Sequence, residues 1–211
     1  MSDTPARIFI IDDDRSLRTS LARLLGSAGI ETEVFASAED YLARERYHGI
    51  ACIILDVRMP GGSGLQLQES LSELGSDLPI LFLTGHGDIP LSVRAIKGGA
   101  VNFLTKPVEE AVLLSAVRQA LALHKKDRGA AKSIQKARAH LSALTSREYE
   151  VMRYILSGVR NRQIATHLGI TEKTVKAHRA KIMTKMAVSS AVELGRVCAL
   201  LGITPKAITA D

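Results

Sequence analysis

Four polar features follow short apolar runs in the first half of the chain. Asp12-Asp13-Asp14 follows Arg7–Ile11, Asp56 follows Ile50–Leu55, Thr84 follows Leu78–Leu83, and Lys106-Pro107 follows Val101–Leu104. Carboxylates gathered within a few ångströms repel and raise one another's pKa, so such a cluster calls for a compensating cation. An all-oxygen donor set suits Mg²⁺, which takes one or two carboxylates and keeps several waters. A lysine and a hydroxyl beside a metal and a carboxylate are the parts that hold a phosphoryl group, whose transfer depends on positioning and on neutralising its equatorial oxygens. Taken singly, each of these residues reads equally well as a cap or a surface charge. Their recurrence at four strand ends points to one site.

The elements that must bring them together are legible in the hydrophobic pattern. Cys52-Ile53-Ile54-Leu55 has no polar alternation, which predicts a strand buried on both faces, and a parallel sheet covered by helices. Strands are predicted at Arg7–Ile11, Glu31–Phe35, Ile50–Leu55, Leu78–Leu83 and Val101–Leu104. Between and after them, helices are predicted over Arg15–Ala28, Ala38–Arg46, Gly64–Leu74, Ile89–Gly98 and Glu109–His124, with Leu65, Leu67, Leu71 and Leu74 as one apolar stripe. Strand and helix alternating five times predicts a doubly wound α/β domain with right-handed crossovers. Ligands bind such sheets outside the carboxyl ends of the strands, where the four polar features fall.

Charge divides the chain. Residues 1–124 carry 11 Lys and Arg against 16 Asp and Glu, residues 125–140 carry 6 against 1, and residues 141–211 carry 11 against 5. A basic back half suggests an anionic partner, nucleic acid being the usual one. No apolar run approaches the ~20 residues of a membrane span, which predicts a soluble protein with no membrane partner. Met1-Ser2-Asp3-Thr4-Pro5 lacks a signal segment and predicts the cytoplasm. Cys52 and Cys198 stand far apart in apolar surroundings and read as buried thiols. Residues 121–143 contain no proline and are rich in alanine and lysine; helix is favoured there, with Gly129 its weak point.

The back half opens on Thr145-Ser146-Arg147-Glu148, a capping box, followed by an apolar stripe of Tyr149, Met152, Ile155 and Leu156. A short helix over Asn161–Leu168 closes at Gly169, and Thr171 caps a further helix to Met186, so the pair reads as a helix-turn-helix. On a helical wheel Val175, Ile182 and Met186 face inward. Lys173, Lys176, Ala177, Ala180 and Thr184 face outward, while Arg179 falls nearer the core. Small and basic residues on one outer face let a helix enter the major groove. A helical module that binds protein alone would need no such face.

Ile10-Ile11-Asp12-Asp13-Asp14, Ile54 to Gly64, Leu83-Thr84-Gly85-His86 and Phe103-Leu104-Thr105-Lys106-Pro107 together resemble the flavodoxin-like receiver domain of bacterial two-component response regulators. The resemblance implies that Asp56 accepts a phosphoryl group from a sensor histidine kinase. It further implies that Asp12, Asp13, Asp56 and the backbone carbonyl of Arg58 serve Mg²⁺, with Asp12 acting partly through water. Lys106 and Thr84 would engage the phosphate, Phe103 would move inward as the aromatic switch, and the Lys106–Pro107 peptide would be cis. Val93, Ile96 and Val101 fall where the family dimerises. Phosphatases that also use a strand-end aspartate need a second acid two residues on, where this chain has Arg58.

Leu144 to Glu148, Asn161 to Ala165, Leu168-Gly169-Ile170 and Thr174 to His178 resemble the LuxR-type DNA-binding domain. That implies a four-helix module whose third helix reads promoter DNA and whose fourth, near Ser189–Leu201, pairs two copies. Met186 and Ser190-Ala191 depart from the commoner leucine and arginine-containing sequence. The candidate DNA-facing residues are Asn161, Thr171, Lys173, Thr174, Lys176, Ala177, Ala180, Lys181 and Lys185. The expected layout is a receiver over residues 5–122, a helical linker over 123–139 and a helix-turn-helix domain over 140–205. Together they resemble the FixJ-like branch of the NarL/FixJ family. This implies a transcriptional regulator, not an enzyme, that dimerises on phosphorylation and works with RNA polymerase.

Overall fold

The computed structural model describes residues 5–60, 62–85 and 89–207, and the chain divides into two compact units, Met1–Arg128 and Gly129–Asp211. In the first, β1 (Arg7–Ile11), β2 (Glu31–Phe35), β3 (Ala51–Leu55), β6 (Ile80–Thr84) and β7 (Asn102–Thr105) form one sheet in the order β2-β1-β3-β6-β7, every pair parallel. The five-stranded doubly wound fold is as the pattern predicts.

Alternation within the apolar strands builds two cores. Phe9, Ile11, Ile53, Leu55 and Phe82 point to one face, where they meet Tyr41 of α2 (Ala38–Ala43), Leu65, Leu67 and Leu71 of α3 (Gly64–Glu73) and Ala95 of α4 (Ile89–Lys97). Ile8, Ile10, Cys52, Ile54, Leu81 and Leu83 point to the other, against Leu21 and Leu25 of α1 (Arg15–Ser27) and Leu113, Ala116, Val117 and Ala120 of α5 (Glu110–Ser142). Both faces of β3 are thus covered, which is why the run needs no polar residue. The order reverses between β1 and β3, so the residues that follow these strands, Asp12 and Asp56, flank the crevice where such folds bind ligands.

Three local features differ from expectation. The helix expected to reach Arg46 ends at Ala43, because Arg44 turns extended (φ −71°, ψ 157°) and lays its guanidinium 4.1 Å from the Phe9 ring centroid and 4.3 Å from that of Tyr41. A short antiparallel ladder, β4 (Arg58–Met59) with β5 (Gly62–Ser63), follows Asp56. Leu74 caps α3 and is exposed, so the α3 stripe ends at Leu71. The helix favoured by composition over 123–139 is present: α5 runs for 33 residues and includes that stretch, Gly129 among it. In the first unit this helix is held by the buried His124, whose Nδ1 accepts from the Ala51 N–H at 3.0 Å, and by Arg128, which donates to the carbonyls of His48 and Gly49.

The second unit contains α6 (Ser146–Leu156), α7 (Asn161–Leu168), α8 (Glu172–Met186) and α9 (Ala191–Leu200) around Val151, Met152, Tyr154, Ile164, Val175, Ile182 and Leu194. Tyr149 is exposed, and Val151 and Tyr154 join Met152 and Ile155 as the inner face of α6. The Thr145–Glu148 capping box is formed on both sides. Gly169, left-handed at φ 63°, closes α7, and the side chain of Thr171 caps α8. Both cysteines are buried free thiols, and burial pushes that of Cys52 up to about 12.

Candidate functional site

Asp12 and Asp56 leave β1 and β3 side by side and are both buried, at 2% and 8% exposure. With the exposed Asp13 they offer carboxylate oxygens that all lie within 4.8 Å of one another. Lys106 Nζ lies 2.6 Å from Asp12 Oδ2 and 3.0 Å from Asp56 Oδ2. Burial pushes the Asp12 carboxyl up, and the neighbouring Asp56 charge adds to this, against bonds from Lys106 and the Asp14 N–H. Burial would pull the Lys106 ammonium down, but its bonds to Asp12 and Asp56 outweigh that and hold it above its ordinary value. Three oxygens and an ammonium are thereby focused at one spot, where a hard cation and a phosphoryl group find complementary charge.

The surroundings explain the precision of this placement. Asp14 belongs to α1, whose Ser16 and Leu17 N–H groups it caps at 2.8 and 3.2 Å, so the first two members of the acidic run are the ones left for the cluster. Arg18 donates to the Asp12 carbonyl from the next turn of α1. Lys106 is carried beside β6 by its own N–H, which donates to the Thr84 carbonyl at 2.7 Å. Thr84 is buried at the end of that strand. The Lys106–Pro107 peptide is cis. Phe103, half-buried on β7, lies against Phe82 with ring centroids 6.1 Å apart. The Arg58 N–H reaches Asp56 Oδ1 at 3.5 Å and its side chain is exposed. Gly64 approaches closest of all, since a Cβ there would stand 2.1 Å from the Asp56 carbonyl oxygen.

The second unit presents the outer face of α8. Lys173, Thr174, Lys176, Ala177, Ala180 and Lys181 are exposed, whereas Val175, Ile182 and Met186 are buried, in line with the helical wheel. Thr171 bonds the Thr174 N–H at 3.1 Å and its hydroxyl at 2.8 Å, so both threonines serve the helix start. Asn161 begins α7 and is half-buried. Lys176 stands only 3.7 Å from Glu172, an exposed pair of little energetic weight.

Comparison with known proteins agrees with both halves. The family "Response regulator receiver domain" matches residues 8–118, and "Bacterial regulatory proteins, luxR family" matches residues 142–198. The chain is 46% identical over 197 residues to the response regulator protein TodT of Pseudomonas putida, an alignment covering 93% of this chain and 87% of that one. It is 38% identical to the transcriptional regulatory protein FixJ of Azorhizobium caulinodans, with 94% of each chain covered. The chain belongs to the NarL/FixJ family of two-component response regulators. Among solved structures, the response regulator StyR superposes on this regulator with a TM-score of 0.85 at 44% identity, covering 93% of this chain and 99% of that one. Full-length FixJ from B. japonicum gives a TM-score of 0.59 at 37% identity over 93% and 97%.

The regulator is therefore a two-component transcriptional regulator with a histidine kinase and DNA as partners. None of its described helices is long and apolar enough to cross a membrane. One lysine of the DNA-facing set is turned away from the outer face. Lys185 turns back to α6 and pairs at 2.6 Å with the buried Glu148, whose carboxylate is costly to bury without a cation. Sequence reasoning also missed Arg18, Gly64 as a contact of Asp56, and the second role of Glu148 beyond the capping box. Only Gly64 carried a signal, a glycine at a helix start where neither a turn nor a positive φ demands one.

Proposed function

We propose that Asp56 of this regulator is the phosphoacceptor and that its modification drives dimerisation and promoter binding. The observation that carries the reading is the ammonium of Lys106, 2.6 and 3.0 Å from Asp12 and Asp56 at the carboxyl edge of the sheet. An Asp56 carboxylate oxygen attacks the phosphorus of a kinase phosphohistidine, the P–N bond breaks with its electrons going to the imidazole, and an acyl phosphate forms on Asp56. Asp12, Asp13, Asp56 and the Arg58 carbonyl are the residues that would hold Mg²⁺, a fit supported by the all-oxygen cluster. When bound, that ion neutralises charge on the transferring group.

Lys106 then exchanges its carboxylate bonds for the new phosphate, and the Thr84 hydroxyl turns to it. A phosphoryl group adds about −1.5 to −2 charges and three acceptor oxygens, enough to bias a two-state loop. Phe103 follows into the space that Thr84 leaves. Ile89, Val93 and Ile96 stand exposed on α4 and supply an apolar face for a second copy, while Val101 is half-buried against the core on the other side of the sheet. Two copies present two α8 helices to a two-fold promoter site, with Lys173, Lys176, Ala177, Ala180 and Lys181 toward the groove, Asn161, Thr171 and Thr174 at its edge, and RNA polymerase recruited alongside. This chemistry belongs in the cytoplasm, where kinase and promoter meet.

Sedimentation velocity on wild type and Asp56→Asn, each with Mg²⁺ and with or without a small-molecule phosphodonor, tests the proposal. Only the wild type shifts from monomer to dimer. A donor-driven shift of the Asn variant equal to that of wild type would overturn it.

A further inference from the structure

Helix α4 is lightly held. Ile89, Val93 and Ile96 are exposed at 76%, 46% and 49%, and Ala95 is its buried residue. Its carboxyl end is nevertheless fastened from the side. Gln68 of α3 is buried at 4% exposure among leucines, and its Nε2 donates to the Ala95 carbonyl at 2.9 Å. The neighbouring chain is cut away to receive this amide: a Cβ at Gly98 would stand 2.8 Å from Gln68 Oε1 and 3.0 Å from its Cδ and Nε2. Gly98 is outside the left-handed region, so space and not backbone conformation requires the glycine. A buried amide is costly without its partner, which ties Gln68 to one placement of the α4 end.

The same face of α3 touches the acid site. Gly64 and Gln68 are four residues apart and therefore neighbours on the helix. Gly64 leans on the Asp56 carbonyl, where a Cβ would come within 2.1 Å, and Gln68 one turn later grips Ala95. One helical turn thus links the backbone of Asp56 to the end of α4, while the other end of α4 begins five residues after Thr84.

We propose that Gln68 is a positioning residue that makes the Ala95 end of α4 a pivot, so that modification of Asp56 tilts α4 in place of loosening it. This rests on the reading of Asp56 as phosphoacceptor. Without the pivot, α4 samples its active placement without phosphate, and the response to phosphate shrinks.

The test uses the full chain with Gln68→Met, which keeps the volume and removes the bond, with Gly98→Ala, whose methyl displaces the amide, and with Gln68→Ala alone and combined with Gly98→Ala. Mass spectrometry reads Asp56 labelling by a small phosphodonor, and promoter-DNA titration reads the ratio of affinities with and without donor. Labelling stays at the wild-type level, while the ratio falls by at least about fivefold in both Gln68→Met and Gly98→Ala, in the range of ordinary allosteric couplings. Because the atoms nearest the new methyl all belong to Gln68, Gly98→Ala causes no further fall in the Gln68→Ala background. A merely structural role would lower thermal stability and leave the ratio intact. Full ratios in labelled Gln68→Met and Gly98→Ala, or additive losses in the double variant, overturn the role of Gln68. A wild type that takes no label at Asp56 overturns the phosphoacceptor reading, and the pivot with it.

Discussion

Lys185 Nζ lies 2.6 Å from Glu148 Oε2, joining the end of α8 to the start of α6 across 37 positions of sequence. The same carboxylate oxygen accepts the Thr145 N–H at 2.8 Å. The Lys185 bond, then the Thr145 N–H, hold the Glu148 carboxyl down at about 2, against an ordinary 4.5. A carboxyl depressed on folding adds stability that is complete above its unfolded value and lost as pH falls through the folded one. Wild type therefore melts above Glu148→Gln at neutral pH, and the gap closes between about pH 4.5 and pH 2. Thermal melts of both proteins across that range check this; a gap constant with pH would refute the pairing.

That pairing separates the lysines of α8. Lys173, Lys176 and Lys181 are exposed, Lys176 with only its weak surface pair to Glu172, and can neutralise DNA phosphates. Each of them changed to Ala lowers the slope of log affinity against log salt by about 0.9 if it meets a phosphate in the complex. Lys185→Ala leaves the slope unchanged and lowers the melting temperature. Promoter titrations at several salt concentrations measure both.

Removing Lys106 leaves Asp12 and Asp56 facing each other without an ammonium. Lys106→Ala costs about 2 kcal/mol of stability, since a buried carboxylate loses its charged partner. In wild type, an Mg²⁺ held as proposed would have to displace an ammonium already bonded to Asp12 and Asp56. The rise in melting temperature on adding Mg²⁺ is consequently larger in Lys106→Ala than in wild type, which paired melts with Mg²⁺ and with chelator will show.

Gly64→Ala forces a methyl to within 2.1 Å of a backbone oxygen that no side-chain rotation can move. Overpacking of this kind costs about 1–3 kcal/mol. Denaturant unfolding shows the loss, and donor labelling of Asp56 falls with it because the strand end must shift.

Much of this is legible in the sequence. Apolar runs and the polar residues behind them locate the sheet edge, since strand burial and strand ends follow from local pattern. Asp12, Asp13, Asp56 and Lys106 meet where that pattern implies, and the capping box at Thr145 forms as written. What escaped are decisions made by tertiary contacts. Arg44 leaves its helix for two aromatic rings, Lys185 turns from the outer face to a carboxylate on another helix, and Leu74 lies past the last turn that the core covers. The ladder of Arg58–Met59 with Gly62–Ser63 is two residues per strand, too short for any periodicity. Gln68 looks like an ordinary polar helix residue until Ala95 is seen beside it.

The Phe82–Phe103 pair has a spectroscopic consequence. The chain contains no tryptophan, and its four tyrosines, Tyr41, Tyr47, Tyr149 and Tyr154, all lie outside this pair. Phe103→Trp would place the sole indole of the protein half-buried on β7, beside Phe82 and three residues before Lys106. Its emission, excited at wavelengths where tyrosine is silent, turns ring burial at that position into an optical signal, recorded in real time from unlabelled protein.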